Sequence, residues 1–360
     1  MQCLPVTLEL KAKAAKRKHT LTQINNTAES ARAEKRRSHL LLQQTLCLFL
    51  QNLGIMKMKW KYLFIMVLIV IALSFWSTNN QVSNEHNKYP TRSWSAVQLH
   101  RKAILNSMCN KFNLRNSTAG VSFKIAEQLM VEQSHKVIYC EVPKVGCSNW
   151  KRILILLQMN LSADPSQISH QAAHFNSPVK RLSSFPPDMW SQFLSNYTKV
   201  MFTRDPFERL VSAYRNKFLH TLNNYFYAVY IANIIKSKFR ASNSTGNVTF
   251  VEYVRHVLSE DPTQCDPHWR PMQHLCDPCN VQYDVLGKLQ TVDEDSEQVL
   301  KLIRAPTNLH FPNAQQYEGE AQTDKTMATN YLRNLSAEYL QEIIEMYKLD
   351  FMLFDYPIYL

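Results

Sequence analysis

Glycine is scarce in this chain, with six among 360 residues. None of the six opens a Gly-Lys-Ser or Gly-Lys-Thr sequence, so the G-x-x-x-x-G-K-[ST] loop of nucleoside-triphosphate enzymes is absent. With no evident magnesium motif either, a kinase is disfavoured. An internal repeat is lacking too. So is a basic excess in the body of the protein. The formal charge is +12, but residues 1–61 hold twelve Lys/Arg against Glu9, Glu29 and Glu34, a net +9. The other 299 residues carry 29 basic and 26 acidic side chains, a net +3, which argues against a nucleic-acid partner. What is present is 45% hydrophobic residues, enough for a packed core in one large or two modest domains.

The basic excess precedes one stretch that lacks charge altogether. The stretch begins in "KWKYLFIMVLIVIALSFWSTNN", and from Tyr62 on to Asn84 no side chain is ionisable at neutral pH. Trp60 and Trp76 flank it as interfacial anchors, and Lys57, Lys59 and Lys61 stand on its N-terminal side. Residues 62–78 are therefore expected to be a transmembrane signal-anchor, short but adequate for a thin early-secretory membrane. The positive-inside rule puts residues 1–61 in the cytosol and the rest in the lumen. A cleaved signal peptide, with Ala72-Leu73-Ser74 as its site, and a buried core helix are the alternatives. Residues 1–55 read as a disordered tail or an upstream extension, because "MKMKWKYLFIMVLIV" already has the form of an anchor's beginning.

Lumenal placement suits two further features. Six Asn-x-Ser/Thr sequons follow the anchor, at Asn116, Asn160, Asn196, Asn243, Asn247 and Asn334. Six of the eight cysteines follow it as well: Cys109, Cys140, Cys147, Cys265, Cys276 and Cys279. An even number fits disulfides, with the pairing left open. "CDPHWRPMQHLCDPC" gathers Cys265, His268, His274, Cys276 and Cys279, but an oxidising compartment favours disulfides over zinc, and no metal is expected. Trp269 is a candidate for an acceptor groove.

Residues 79–105 are polar and read as a stem, with the lumenal stem region bounded at 79–120 and a catalytic domain at 121–360. Strands are expected at Val137–Val142 and Lys199–Thr203. Helices are expected at Asn149–Gln158, Pro187–Tyr197, Pro206–Phe218, Thr249–Leu258 and, after the N-cap Ser336, through Lys348. This alternation predicts a three-layer α/β domain with a central, mainly parallel sheet.

Two strand-to-helix turns carry chemistry. In "YCEVPKVGCSNWKRILILL" the strand meets Pro143, Lys144, Val145, Gly146, Cys147, Ser148 and Asn149 before the helix. Such a turn presents backbone N–H groups and the positive end of a helix dipole to an anion. Gly146 allows close approach, Ser148 and Asn149 add donors, and Lys144 adds a full charge. An ordinary turn with a surface lysine is the alternative. About 60 residues later "VMFTRDPFERLVSAYRNKF" repeats the architecture, with Arg204 at the strand's end, Asp205 as N-cap, Pro206 at the first helical position and Ser212 two turns in. An arginine backed by a hydroxyl suits a second phosphate.

Together "VPKVGCSNWKR" and "RDPFERLVSAYRNKF" resemble the paired donor-binding motifs of Golgi carbohydrate sulfotransferases. The branch is sulfotransferase family 2, which contains the HNK-1, chondroitin/dermatan and N-acetylgalactosamine (GalNAc) 4-O-sulfotransferases. The resemblance continues through "HWRPMQHLCDPCNVQYDVLGKL", "LIRAPTNLHFP" and "YKLDFMLFDYP", and covers most of residues 120–357. It implies a P-loop-like sulfotransferase domain and 3′-phosphoadenylyl sulfate (PAPS) as donor. Residues Pro143–Asn149 would embrace the 5′-phosphosulfate. The segment Arg204, Asp205, Pro206, Phe207, Glu208, Arg209, Leu210, Val211 and Ser212 would hold the 3′-phosphate. Many members have Glu where this chain has Asp205, which leaves capping intact.

Sulfuryl transfer needs a contact to the leaving oxygen, assigned here to Lys144, and a base for the sugar hydroxyl. His174, in "HQAAHFNSP", leads for the base because imidazole titrates near neutrality, with His170 beside it; a histidine of no consequence is the alternative. Glu208 is expected to face solvent. The acceptor implied is a glycan, most simply the 4-hydroxyl of GalNAc in chondroitin/dermatan or at N-glycan termini. Glucuronic acid O3, a lumenal kinase and a non-catalytic glycan-binding ectodomain are the alternatives. Golgi localisation as a single-pass type II protein completes the expectation.

Overall fold

The computed structural model describes residues 43–44, 93–115, 120–219, 225–240, 245–312 and 322–359. The expected anchor at 62–78, Asn116 and Asn243 lie outside them. Among the described residues no helix is long and apolar enough to cross a membrane. Asn160, Asn196, Asn247 and Asn334 all stand exposed.

Five strands form one sheet: β1 (Leu129–Glu132), β2 (Val137–Cys140), β3 (Lys180–Arg181), β4 (Thr198–Thr203) and β5 (Val285–Lys288), in the order β3-β1-β2-β4-β5. The sheet is mixed rather than mainly parallel. β2, β4 and β5 run parallel, whereas β1 is antiparallel to both β2 and β3. The reason lies in the β1–β2 connection, which is too short for anything but a hairpin. It contains no glycine. Instead the buried Glu132 carboxylate accepts the N–H groups of Ser134 and His135, each at 2.8 Å, and Lys136 takes φ +55°.

Consecutive residues of β2 point to opposite faces, and all four are fully buried, so both faces of the sheet are covered. One face carries Tyr139 and Phe202, on which Trp150 packs with ring centroids 5.7 and 5.2 Å away. Gly287, which pairs with Phe202 across β4 and β5, must lack a side chain there. A Cβ would meet the Phe202 ring at 2.3 Å.

The main helices are α1 (Trp94–Lys111), α2 (Cys147–Gln158), α3 (His170–His174), α4 (Pro187–Asn196), α5 (Pro206–Tyr214), α6 (Phe250–Leu258), α7 (Val292–Leu302) and α8 (Ala337–Leu353). α5 continues as a π-helical segment, Arg215–Leu219, and a second one spans Phe226–Ile231. α1 occupies much of the stretch expected to be a stem, and it packs on the sheet. The Gln98 side chain pairs with the edge strand β5 through both its amide groups, accepting from Leu286 N at 3.0 Å and donating to Leu286 O at 3.2 Å. Arg101 adds a bond to the same carbonyl and an ion pair with buried Asp295 at 2.8 Å. These contacts cover a sheet edge that would otherwise expose unpaired backbone groups. Disulfides Cys109–Cys279 and Cys140–Cys276 tie α1 and β2 to the same segment, while Cys147 and Cys265 are free and buried.

Candidate active site

β2, β4 and β5 deliver their carboxyl ends to one edge of the sheet, and the two sequence motifs meet there. After β2 the chain takes left-handed conformations at Lys144 (φ +73°) and Gly146 (φ +87°) and then enters α2. A Cβ on Gly146 would also come within 3.2 Å of the Phe311 ring. The N-cap of α2 is this glycine, so no side chain covers the helix's N-terminal N–H groups, and its first turn holds no acid. Lys144 is half-buried. Burial, and then the neighbouring Arg204, push its ammonium down to about 7. Asn149 donates to the Pro312 carbonyl at 3.2 Å and accepts from Arg152 at 2.8 Å. Cys147 is a buried thiol, raised by that burial.

After β4 the second turn is closed by its own side chains. Asp205 caps α5, accepting from Phe207 N at 2.9 Å and Glu208 N at 3.1 Å, and receives a bond from the Tyr359 hydroxyl. Arg204 is 2% exposed. It donates to the Lys144 carbonyl at 3.1 Å, to the Thr323 carbonyl and to Glu208 at 3.4 Å. Glu208 is therefore half-buried and ion-paired rather than facing solvent.

Arg209 joins a third segment to the first two. Fully buried, it donates to the carbonyls of Pro143 (3.0 Å), Pro267 (2.7 Å) and Arg270 (2.7 Å). One guanidinium thereby holds the loop 265–270 against the first turn. On that loop Asp266 contacts His268 Nδ1 at 2.7 Å, and Tyr227 donates to the other carboxylate oxygen at 2.7 Å. Lys217 sits over the Tyr227 ring at 4.2 Å. Arg215 bonds the Thr323 hydroxyl at 2.8 Å beside the Thr323 carbonyl that Arg204 bonds, and Arg204, Lys217 and Arg215 all lower the Lys144 ammonium.

The family model described as "Sulfotransferase family" matches residues 127–357. The chain belongs to the sulfotransferase family. Similar proteins include carbohydrate sulfotransferase 8 of Homo sapiens, 39% identical over 267 residues, or 72% of this chain and 62% of that protein. Carbohydrate sulfotransferase 11 of Rattus norvegicus is 36% identical over 241 residues, covering 64% and 68% of the two chains. Carbohydrate sulfotransferase 14 of Danio rerio is 34% identical over 271 residues, covering 73% and 72%. The chain spans less than two thirds of the length of the human relative. No solved structure matches it.

Within this sulfotransferase-family domain the motif residues divide by role. Lys144, Gly146, Ser148 and Arg204 converge on the sheet edge. Phe207, Leu210 and Val211 are core side chains, and Arg209 holds three carbonyls together. Trp269 is 1% exposed and bonds Glu260, so it forms core and not a groove. Cys276 and Cys279 of the candidate zinc cluster are both in disulfides.

His174 reaches the site, in a chain of polar groups. Its Nε2 lies 2.8 Å from Ser148 Oγ and its Nδ1 lies 3.2 Å from Lys151 Nζ, which also bonds Glu141. Arg181 bonds the other Glu141 oxygen. An ammonium only donates, so Nδ1 accepts and the neutral ring carries its proton on Nε2, aimed at Ser148. Burial, Lys151 and the stacked His170, 4.2 Å away, push His174 down to about 3. Both nitrogens are thus engaged by this chain's own groups, Nε2 with Ser148 and Nδ1 with Lys151.

Proposed function

We propose that the protein is a PAPS-dependent carbohydrate O-sulfotransferase. The observation that carries the reading is the bond from Arg204 to the Lys144 carbonyl, which makes the two motif turns adjoining walls of one site. Pro143–Asn149 receive the phosphosulfate on the open N-terminus of α2, and Arg204–Ser212 hold the 3′-phosphate. The sugar hydroxyl attacks sulfur in line, the bond to the bridging oxygen breaks, and charge grows on the departing 3′,5′-ADP. Lys144 stabilises that charge, while Ser148 and the helix N–H groups orient the sulfuryl oxygens. By analogy with phosphoryl transfer, position and charge contribute most of the catalysis.

The acceptor proposed is the 4-hydroxyl of GalNAc, supported by the resemblance of "LIRAPTNLHFP" and "HWRPMQHLCDPC" to that branch. The protein is proposed to work in the Golgi lumen behind the 62–78 anchor, a reading supported by the charge asymmetry and the exposed sequons. The test is incubation of the full chain with sulfur-labelled PAPS and a panel of glycans, followed by product analysis. Label on GalNAc O4 is expected. Sulfate on glucuronic acid O3 would overturn the acceptor, and no labelled glycan at all would overturn the activity.

A further inference from the structure

The proposed reaction needs a group to take the acceptor's proton, and at His174 both nitrogens are bonded to this chain's own side chains. The loop 265–270 offers another imidazole. His268 is 23% exposed at its side chain, so it opens onto the surface beside the first turn. Arg209 fixes its position, because Pro267, immediately before it, and Pro143, immediately before Lys144, accept from the same guanidinium. Lys144 and Lys217 both act on it electrostatically.

Its bonding pattern is the reverse of that at His174. Asp266 Oδ1 lies 2.7 Å from Nδ1 and also accepts the His268 backbone N–H at 2.8 Å. Asp266 Oδ2 accepts from Tyr227 at 2.7 Å. Burial opposes ionisation of Asp266, but its bonds from His268 and Tyr227 hold the carboxyl below its ordinary value. A carboxylate only accepts, so Nδ1 carries the proton and Nε2 keeps its lone pair. This is the base-and-orienter arrangement of acid–base catalysis.

We infer that His268 is the general base of the reaction and Asp266 its positioning residue, an assignment that rests on the sulfotransferase reading above. The acceptor hydroxyl oxygen forms the new bond to sulfur as the bond between sulfur and the nucleotide oxygen breaks. The hydroxyl proton passes to Nε2, and the imidazolium is stabilised by Asp266. Burial first, then the cations Lys217 and Lys144, push the free imidazole down to about 4 against the pull of Asp266, so at pH 7 it is in the proton-accepting form. The Tyr227 hydroxyl also faces it, 3.2 Å from Nδ1.

The test compares His268→Asn, whose amide keeps a donor towards Asp266, with His268→Gln, Asp266→Asn and the wild-type full chain. Turnover with PAPS and acceptor, affinity for 3′,5′-ADP and melting temperature are measured on each. Both His268 variants are expected to lose about 100-fold or more in kcat, with 3′,5′-ADP affinity and melting nearly unchanged. Asp266→Asn is expected to lose less and to shift the acid limb of the kcat/KM profile, which a merely structural role would not do. Turnover within threefold of wild type in a folded His268 variant overturns the assignment. So does a loss of turnover matched by an equal loss of 3′,5′-ADP affinity. A wild-type chain that neither binds 3′,5′-ADP nor transfers overturns the sulfotransferase reading itself, and the failure then appears in wild type and not only in the variants.

Discussion

The two strand–loop–helix turns share an architecture but differ in what meets their helix N-termini. The first leaves α2 uncapped behind Gly146, with no acid in the first turn. The second caps α5 with Asp205 and places Glu208 beside Arg204. An uncapped helix start with a lysine whose ammonium is pushed down to about 7 is a site waiting for negative charge. A capped start whose arginine already bonds two carbonyls is a joint as much as a binding group. The chemistry is thus assigned to the first turn. The second holds the first in shape through the Arg204 bond to the Lys144 carbonyl, and in the proposed function the rest of its guanidinium meets the far end of the donor.

Removing Arg209, which ties the loop 265–270 to the first turn, is expected to have the largest effect. Arg209→Ala would leave three carbonyls without their donor in a buried place, at a cost of about 3 kcal/mol or more. Thermal denaturation is expected to show melting lowered by about 6–12 °C. An unchanged melting temperature would show that the three segments hold together without it.

Lys144→Ala should separate chemistry from stability. The loss of one leaving-group contact is expected to cost about 3 kcal/mol of barrier, at least ~100-fold in kcat, with melting preserved. A variant that turns over like wild type would move the leaving-group role elsewhere.

A smaller effect follows from the same lysine's ionisation. Its ammonium favours a bound anion and is lost as pH rises through about 7, so 3′,5′-ADP affinity should fall as pH goes from 7 to 8.5. The expected size is about tenfold, and Lys144→Met should abolish the dependence. Calorimetric titration at several pH values checks it; a pH-independent wild type would contradict the first turn as the charge-sensitive one.

The legible parts of this molecule were those where local and tertiary signals agree. β2, β4, α2 and α5 fall within a few residues of their expected bounds, because apolar runs there end at Gly146 or at Asp205-Pro206. The β1–β2 hairpin was invisible because a buried carboxylate, not a glycine, shapes its turn. α1 reads as stem because half of its docking face is polar: Gln98 and Arg101, which bind a strand edge and a buried Asp295, interrupt the apolar positions Trp94, Leu105, Met108 and Cys109 that pack on the core. At the candidate site, Lys144 and Arg204 stand on the two turns where the sequence puts them, bonded to each other through the Lys144 carbonyl. His174 and His268 were not distinguishable by residue type. They differ in whether an ammonium or a carboxylate faces Nδ1, Lys151 in one case and Asp266 in the other, a contact made only once the chain is folded. The Asp266–His268 spacing in "CDPHW" was the available signal.

The central claim is that the two turns form one site that spans a nucleotide phosphorylated at both ends. The most direct measurement is the affinity of the full chain for 3′,5′-ADP and for 5′-AMP without magnesium, in wild type and in Arg204→Ala. The account predicts that wild type binds 3′,5′-ADP at least ~30-fold more tightly, since a buried charge-assisted contact is worth about 2 kcal/mol or more, and that Arg204→Ala removes most of that preference. Equal affinities in wild type, or an equal loss for both nucleotides in the variant, would contradict it.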